Sequence, residues 1–181
     1  MLKLALGGTI AVVECEMVDV RRAKKEDVPG IENVLAVTWR DTYSTFLSEA
    51  SIDQVTAEWH SPRVLEAEVT RPSTYIGVAT SVPTGIVGMI SAHSQSEVLF
   101  VARMYVLPEF QRRGIGNRMM NEARLAFSQT RRLRLDVEEQ NPKGRAFYRK
   151  LGFREVEVRA DDIAGTKLNL VVMEKDVHGA A

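Results

Sequence analysis

The spacing of apolar residues changes several times along this chain, and each change marks an element. Val18 and Val20 alternate with polar neighbours between Met17 and Ala23, the period of a half-buried strand. Val28, Ile31, Val34, Leu35, Thr38 and Trp39 then recur at helical steps, which predicts a helix with Glu26 and Asp27 at its positive end and Pro29 near its start. Tyr43, Phe46 and Leu47 fall in a polar-interrupted connection, followed by helical stretches over Ile52 to Trp59 and Pro62 to about Val69. Tyr75 to Ser81, Pro83-Thr84-Gly85 and Ile86 to His93 read as strand, turn and strand. Ser94-Gln95-Ser96 turns into a strand from Glu97, making an antiparallel meander, with His93 a solvated turn residue. Pro108 has no N–H to give a ladder, so that strand stops near Leu107.

Helical period returns in Ile115, Met119, Met120, Ala123, Ala126 and Phe127, predicting a helix to about Gln129. Leu133, Leu135 and Val137 alternate with Arg132, Arg134 and Asp136, a strand with a solvated basic face. Asn141 can cap a further helix and Gly152 can end it. Strands over Phe153 to Val158 and Leu168 to Met173 close the chain. The implied fold class is α/β (α+β), a central mixed sheet flanked by helices, without internal repeats.

Composition narrows this. With 181 residues and 45% hydrophobic content, one core is affordable and two ordinary domains are not. We expect a single domain over residues 17–181. Residues 1–16 carry Lys3 and a short apolar run with no small-x-small cleavage site after it, too short to span a bilayer. We expect them to be an N-terminal extension from an upstream start codon, dispensable for chemistry. Lysine plus arginine equals aspartate plus glutamate at 24 each, so no global field draws the chain to nucleic acid or an anionic membrane. A lone cysteine, Cys15, excludes an internal disulfide framework and a cysteine zinc site, which fits a reducing cytoplasm.

The densest chemistry lies in Met104-Tyr105-Val106-Leu107-Pro108-Glu109-Phe110-Gln111-Arg112-Arg113-Gly114-Ile115-Gly116-Asn117, a strand, a basic loop and a helix start. The first N–H groups of a helix lack intrahelical partners and sit at the positive end of its dipole, so a diphosphate fits there. Glycines 114 and 116 permit close approach, and Arg112 and Arg113 add charge. Gly114 merely starting a helix, with solvated arginines, is the alternative. A P-loop and a dinucleotide fingerprint are excluded by the missing Gly-Lys-Ser/Thr end and the missing third glycine. Gln111-Arg112-Arg113-Gly114-Ile115-Gly116 resembles motif A of the GNAT acetyltransferase superfamily, and Met-Tyr-Val-Leu-Pro before it resembles that family's splayed strand. Asn141, Ala146, Phe147, Tyr148, Gly152 and Phe153 resemble its motif B in the correct order.

The resemblance implies a GNAT fold, with a mostly antiparallel twisted sheet, and acetyl-CoA as co-substrate without a metal. By it, backbone groups of Met104, Tyr105 and Val106 pair with the pantetheine arm, and the Val106 N–H polarises the thioester carbonyl. Amides from Gln111 through Arg112, Arg113, Gly114, Ile115 and Gly116 to Asn117 hold the pyrophosphate. Asn141 bonds the pantetheine chain, and Phe147 and Arg149 lie alongside the coenzyme. Tyr148 is the general acid, since a phenol of pKa about 10 is protonated at neutral pH. Many family members carry a glutamate where this chain has Phe100, which leaves the base open. Glu138, at the end of the neighbouring strand, comes first on position; Asp136, Glu97 and a water chain to a carbonyl stay open.

Trp39-Arg40-Asp41-Thr42-Tyr43 resembles the Trp-x-x-Thr-Tyr of small-molecule members, polyamine acetyltransferases included. It points to Trp39 and Tyr43 as acceptor-binding residues, by cation–π contact, with Asp41, Glu49 and Asp53 attracting a cation. Plain core packing is the other reading of two aromatics four apart. The expected activity is direct acetyl transfer from acetyl-CoA to a primary amine of a small amine or polyamine. Alternatives are a protein or peptide N-terminus or lysine as acceptor, and a non-catalytic acyl-CoA-sensing domain. Oligomeric state is not fixed, homodimers being the commonest soluble oligomers.

Overall fold

The computed structural model describes residues 17–163 and 165–177, so the expectation for residues 1–16 lies outside the described residues. In chain order the elements are β1 (Val18–Arg22), α1 (Val28–Tyr43), α2 (Glu49–Trp59), α3 (Pro62–Thr70), β2 (Thr74–Ser81), β3 (Gly85–Gln95) and β4 (Val98–Val106). They continue with α4 (Ile115–Leu125), β5 (Arg132–Glu138), α5 (Pro142–Lys150), β6 (Arg154–Ile163) and β7 (Thr166–Asp176). The described residues form a seven-stranded sheet of order β1-β2-β3-β4-β5-β7-β6. All pairings are antiparallel except β4 with β5, which run parallel. This is the mixed sheet the sequence predicts.

Two departures bear on the site. Helix α1 runs to Tyr43 rather than ending at Trp39, because Trp39 and Tyr43 are both buried and extend the apolar stripe of Ile31, Val34 and Leu35 by one turn. Helix α4 stops at Leu125, short of Gln129. Ala126 and Phe127 continue its period but form a turn, with Phe127 N–H donating to Arg124 C=O and Thr130 N–H to Phe127 C=O, which redirects the chain into β5.

Helices α1 to α3 cover one face of the sheet and α4 the other. On the first face a Cβ on Gly30 of α1 would lie 2.7 Å from Ile86 of β3, so only glycine lets that helix seat so closely. On the second, Met119 of α4 reaches the position over Gly88. Ile31, Leu35, Met89, Ile90, Leu99, Met119, Leu133, Leu135 and Met173 are fully buried between the layers. Each such side chain contributes about 1.5–3 kcal/mol relative to exposure.

Candidate functional site

The site originates in a mismatch of register. Ser91 opposes Arg103 while Ala92 opposes Val101, so Ala102 is an extra residue that bends β4. Among the described residues β4 pairs with β5 only over Val98–Val101 and Arg132–Leu135, after which the two parallel strands separate. The Leu107 N–H donates to Val87 C=O at 2.9 Å, so by alternation the N–H and C=O groups of Met104 and Val106 point to the other edge, into the gap. Gln111 Nε2 donates to the Val106 carbonyl at 3.0 Å, which leaves the Val106 N–H as the donor facing the opening.

The loop after β4 closes one end of this gap. Arg112 (φ 61°) and Gly114 (φ 79°) are left-handed, and Gly114 is the N-cap of α4. The chain thereby brings the first-turn N–H groups of Ile115, Gly116 and Asn117, which have no acceptor within a helix, to the mouth of the gap. Arg113 lies over the Phe110 ring at 4.9 Å and donates to the Glu109 carbonyl. A Cβ on Gly116 would lie 3.0 Å from Phe147 Cζ and 3.8 Å from Met104 Cε, so α4, α5 and β4 converge at this residue. The predicted residues Met104, Val106, Gly114, Ile115, Gly116, Asn117 and Phe147 are thus brought together, and a backbone edge, a helix N-terminus and a glycine approach suit a pantetheine diphosphate. Gly116→Val should push Phe147 into the gap and weaken acetyl-CoA at least about tenfold by calorimetry, equal to about 1.4 kcal/mol.

On the opposite face Tyr43, Tyr105 and Trp39 cluster together, and Tyr43 joins them to one carboxylate. Tyr43 Oη donates to Glu138 Oε1 at 2.9 Å and stands 3.3 Å from Tyr105 Oη. Trp39 packs on Tyr43, with ring centres 4.4 Å apart, and faces Tyr105 at 6.5 Å. Burial raises Glu138 above the usual carboxylate range, assisted by Asp136 and opposed by its own N–H and the Tyr43 hydroxyl. Burial also pushes Tyr148 well up, with the neighbouring Tyr105 and Glu138 adding to it, and Tyr43 and Tyr105 shift the same way for the same first reason. All three phenols are therefore protonated at neutral pH. Tyr148 is held by ring contacts to Phe147 and Phe153.

Behind Trp39 lies a polar wall that the sequence does not announce. His60 is buried against Trp39, at 5.1 Å, and burial beside Arg103 lowers it to about 3. Arg103 pairs with Glu68 at 2.6 Å with both side chains mostly covered. Tyr105 belongs to the same group of residues missed by sequence reasoning. The resemblance implies a backbone role for it at the pantetheine edge, yet by the alternation above its N–H and C=O face β3, and its side chain is on the Trp39 and Tyr43 face. The signal available was alternation, since Met104 and Val106 reach toward α4.

Other predicted residues stand elsewhere. The Arg149 guanidinium, with that of Arg145, pairs with Glu155 of β6. Asn141 Oδ1 accepts from Gly144 N–H at 2.8 Å, which caps α5 and leaves its amide nitrogen as the donor for a ligand. Asp136 is paired with Arg159, and Glu97 with Arg131 at the far end of β5, so neither competes with Glu138 for the site. Phe100 packs on His93, and Asp53 is paired with Arg40 on the surface. Among the described residues no group of three His, Cys, Asp or Glu is placed to hold a metal ion, and no helix is long and apolar enough to cross a membrane.

Residues 72–155, from β2 to the start of β6, match the family model described as acetyltransferase (GNAT) domain. The splayed strand and the loop it feeds lie within that segment, so the gap described above belongs to the part of the chain that is similar to a GNAT acetyltransferase domain. The spermidine N(1)-acetyltransferase of Thermoplasma acidophilum is 27% identical over 153 residues, covering 80% of this chain and 93% of that protein. The PaiA N-acetyltransferase of Thermoplasma acidophilum, solved in complex with coenzyme A, superposes with a TM-score of 0.74 at 24% identity, covering 89% of this chain and 99% of that one. A GCN5-related N-acetyltransferase from Rhodopseudomonas palustris gives 0.72 at 17% identity, covering 88% and 95%.

Proposed function

We propose that this chain transfers the acetyl group of acetyl-CoA directly to a primary amine of a small amine or polyamine, both substrates being bound together. The observation that carries this reading is the Glu138 carboxylate, hydrogen-bonded by Tyr43 at 2.9 Å and near enough to Tyr148 to raise its pKa. It supplies, from β5, the base whose usual position holds Phe100, and so weighs against a non-catalytic acyl-CoA sensor.

In this reading Glu138 takes the proton that an ammonium of pKa about 10 must lose before it can attack. The Val106 N–H donates to the thioester carbonyl oxygen as negative charge develops on it, which is worth more in a water-poor gap than in solution. Tyr148 gives its proton to the departing sulfur. Met104 and Val106 backbone groups hold the pantetheine arm, the amides of residues 111–117 hold the diphosphate, and Phe147 lines the passage between them. Asn141 serves the arm through its amide nitrogen, and Arg149 answers to Glu155 first. Trp39 and Tyr43 wall the acceptor side, where ring faces favour an alkylammonium. Similarity to a spermidine acetyltransferase supports the same acceptor class. We place the activity in the domain of residues 17–181, in the cytoplasm, with a homodimer as the simplest assembly.

Coenzyme A release measured with acetyl-CoA and spermidine, spermine, amino acids, aminoglycosides and peptides of varied N-termini tests this. Turnover should be fastest with a polyamine or other small alkylamine. A preference for peptide N-termini or lysines would replace the acceptor class, and absence of turnover with every amine despite tight acetyl-CoA binding would favour the sensing domain.

A further inference from the structure

Hydrogen-bond accounting in the cluster around Glu138 fixes the direction of each proton. The ionised carboxylate only accepts, so Tyr43, whose Oη is 2.9 Å away, spends its single proton there. Tyr43 Oη and Tyr105 Oη are 3.3 Å apart, and with the Tyr43 proton already given, the Tyr105 hydroxyl is the donor between them. The chain therefore runs Tyr105 to Tyr43 to Glu138, and it begins at the Tyr105 oxygen, which the Trp39 indole N–H faces and which keeps a second lone pair for an incoming proton. Glu138 also receives its own backbone N–H, so two donors already occupy the carboxylate. Tyr43 is 3% exposed and buried under Trp39 and Phe46, so water does not readily interrupt the chain.

We propose that Tyr105 and Tyr43 form a proton path from the acceptor amine to Glu138, with Tyr43 also the positioning residue that holds the carboxylate. This rests on Glu138 being the base. The ammonium N–H proton passes to Tyr105 Oη as the Tyr105 proton passes to Tyr43 Oη and the Tyr43 proton to Glu138 Oε1. One N–H and two O–H bonds break, three O–H bonds form, and the net change is a neutral amine and a neutral carboxylic acid. Neither tyrosine becomes charged at any point, as their burial demands. The path lets a carboxylate at the end of β5 serve an amine on the far side of Tyr43. It also gives the Tyr43 and Tyr105 hydroxyls a role that aromatic packing leaves unexplained, since Phe would pack as well.

The groups facing Glu138 are Tyr43 from α1, Tyr105 from β4, Tyr148 acting from α5, and Asp136 on its own strand, which is held by Arg159 of β6. Of these only Tyr43 donates a side-chain hydrogen bond to the carboxylate. Tyr43→Phe should therefore lower kcat about 100-fold, at the low end of what a positioned proton donor contributes. It should also move the acid limb of the kcat/KM profile upward, because Glu138 loses a donor to its charged form. Tyr105→Phe should lower kcat similarly but leave that limb in place, because Tyr43 still holds the carboxylate. Each variant added to Glu138→Gln should cost little more, as members of one unit do. Acetyl-CoA affinity by calorimetry and a thermal melt check that each variant is folded. Folded Tyr43→Phe and Tyr105→Phe enzymes with wild-type kcat and an unmoved acid limb, beside an inactive Glu138→Gln, would overturn the path and leave the base assignment standing. A fully active Glu138→Gln would overturn both.

Discussion

Tyr148→Phe should lower kcat by about 10²–10⁴-fold, the range a positioned general acid contributes, while acetyl-CoA affinity stays within about twofold. The substitution removes one oxygen and keeps the ring that packs on Phe147 and Phe153, so a loss of turnover cannot be assigned to a collapsed α5. Burial has already fixed the protonation state. With its pKa pushed well up, Tyr148 remains a phenol near neutral pH, as the proposed general acid must. The variant should recover most when the leaving thiol is made more acidic, because a better leaving group has less need of a proton. A kcat within threefold of wild type would remove Tyr148 from the chemistry and leave it a packing residue, about a 0.7 kcal/mol effect.

Glu138→Gln should reduce kcat/KM for the amine about 10²–10³-fold near pH 7. The amide oxygen still accepts from Tyr43, so the variant tests the charge and not the hydrogen bond. Its pH dependence is the sharper readout. Burial raises the Glu138 pKa, so the wild-type rate should fall as pH drops through a value above the ordinary carboxylate range, where the base is lost by protonation. Without a base the variant depends on amine already neutral in solution, and its rate should climb about tenfold per pH unit toward the pKa of the amine near 10. A variant with the wild-type profile would move the base to a water chain.

Much of the cofactor side was legible in the sequence because its determinants are local. A strand stopped by Pro108, glycines 114 and 116 before a helical period, and an Asn141 cap ahead of Phe147 and Tyr148 all lie within short runs, where residue type dictates backbone. On the acceptor side the sequence points to Trp39, Tyr43 and Glu138 one by one but not to their contact, for two physical reasons. Tyr43 and Glu138 are 95 residues apart, and nothing but the folded sheet brings β5 under α1. The extra residue at Ala102 shifts the phase of β4, so alternation counted from Leu99 misplaces the Tyr105 side chain and only its neighbours Met104 and Val106 give its direction. Arg149 shows the same limit in reverse. Its place in motif B implies the coenzyme and gives no sign of Glu155, just after the Gly152 turn, with which its guanidinium pairs.

Direct transfer between two substrates held at one opening is tested most directly by initial rates over a grid of acetyl-CoA and spermidine concentrations. Coenzyme A release should give intersecting double-reciprocal lines, with one acetyl group appearing on the amine for each thiol released. Parallel lines, with an acetylated protein trapped when spermidine is left out, would contradict the account and require a covalent carrier on the chain itself.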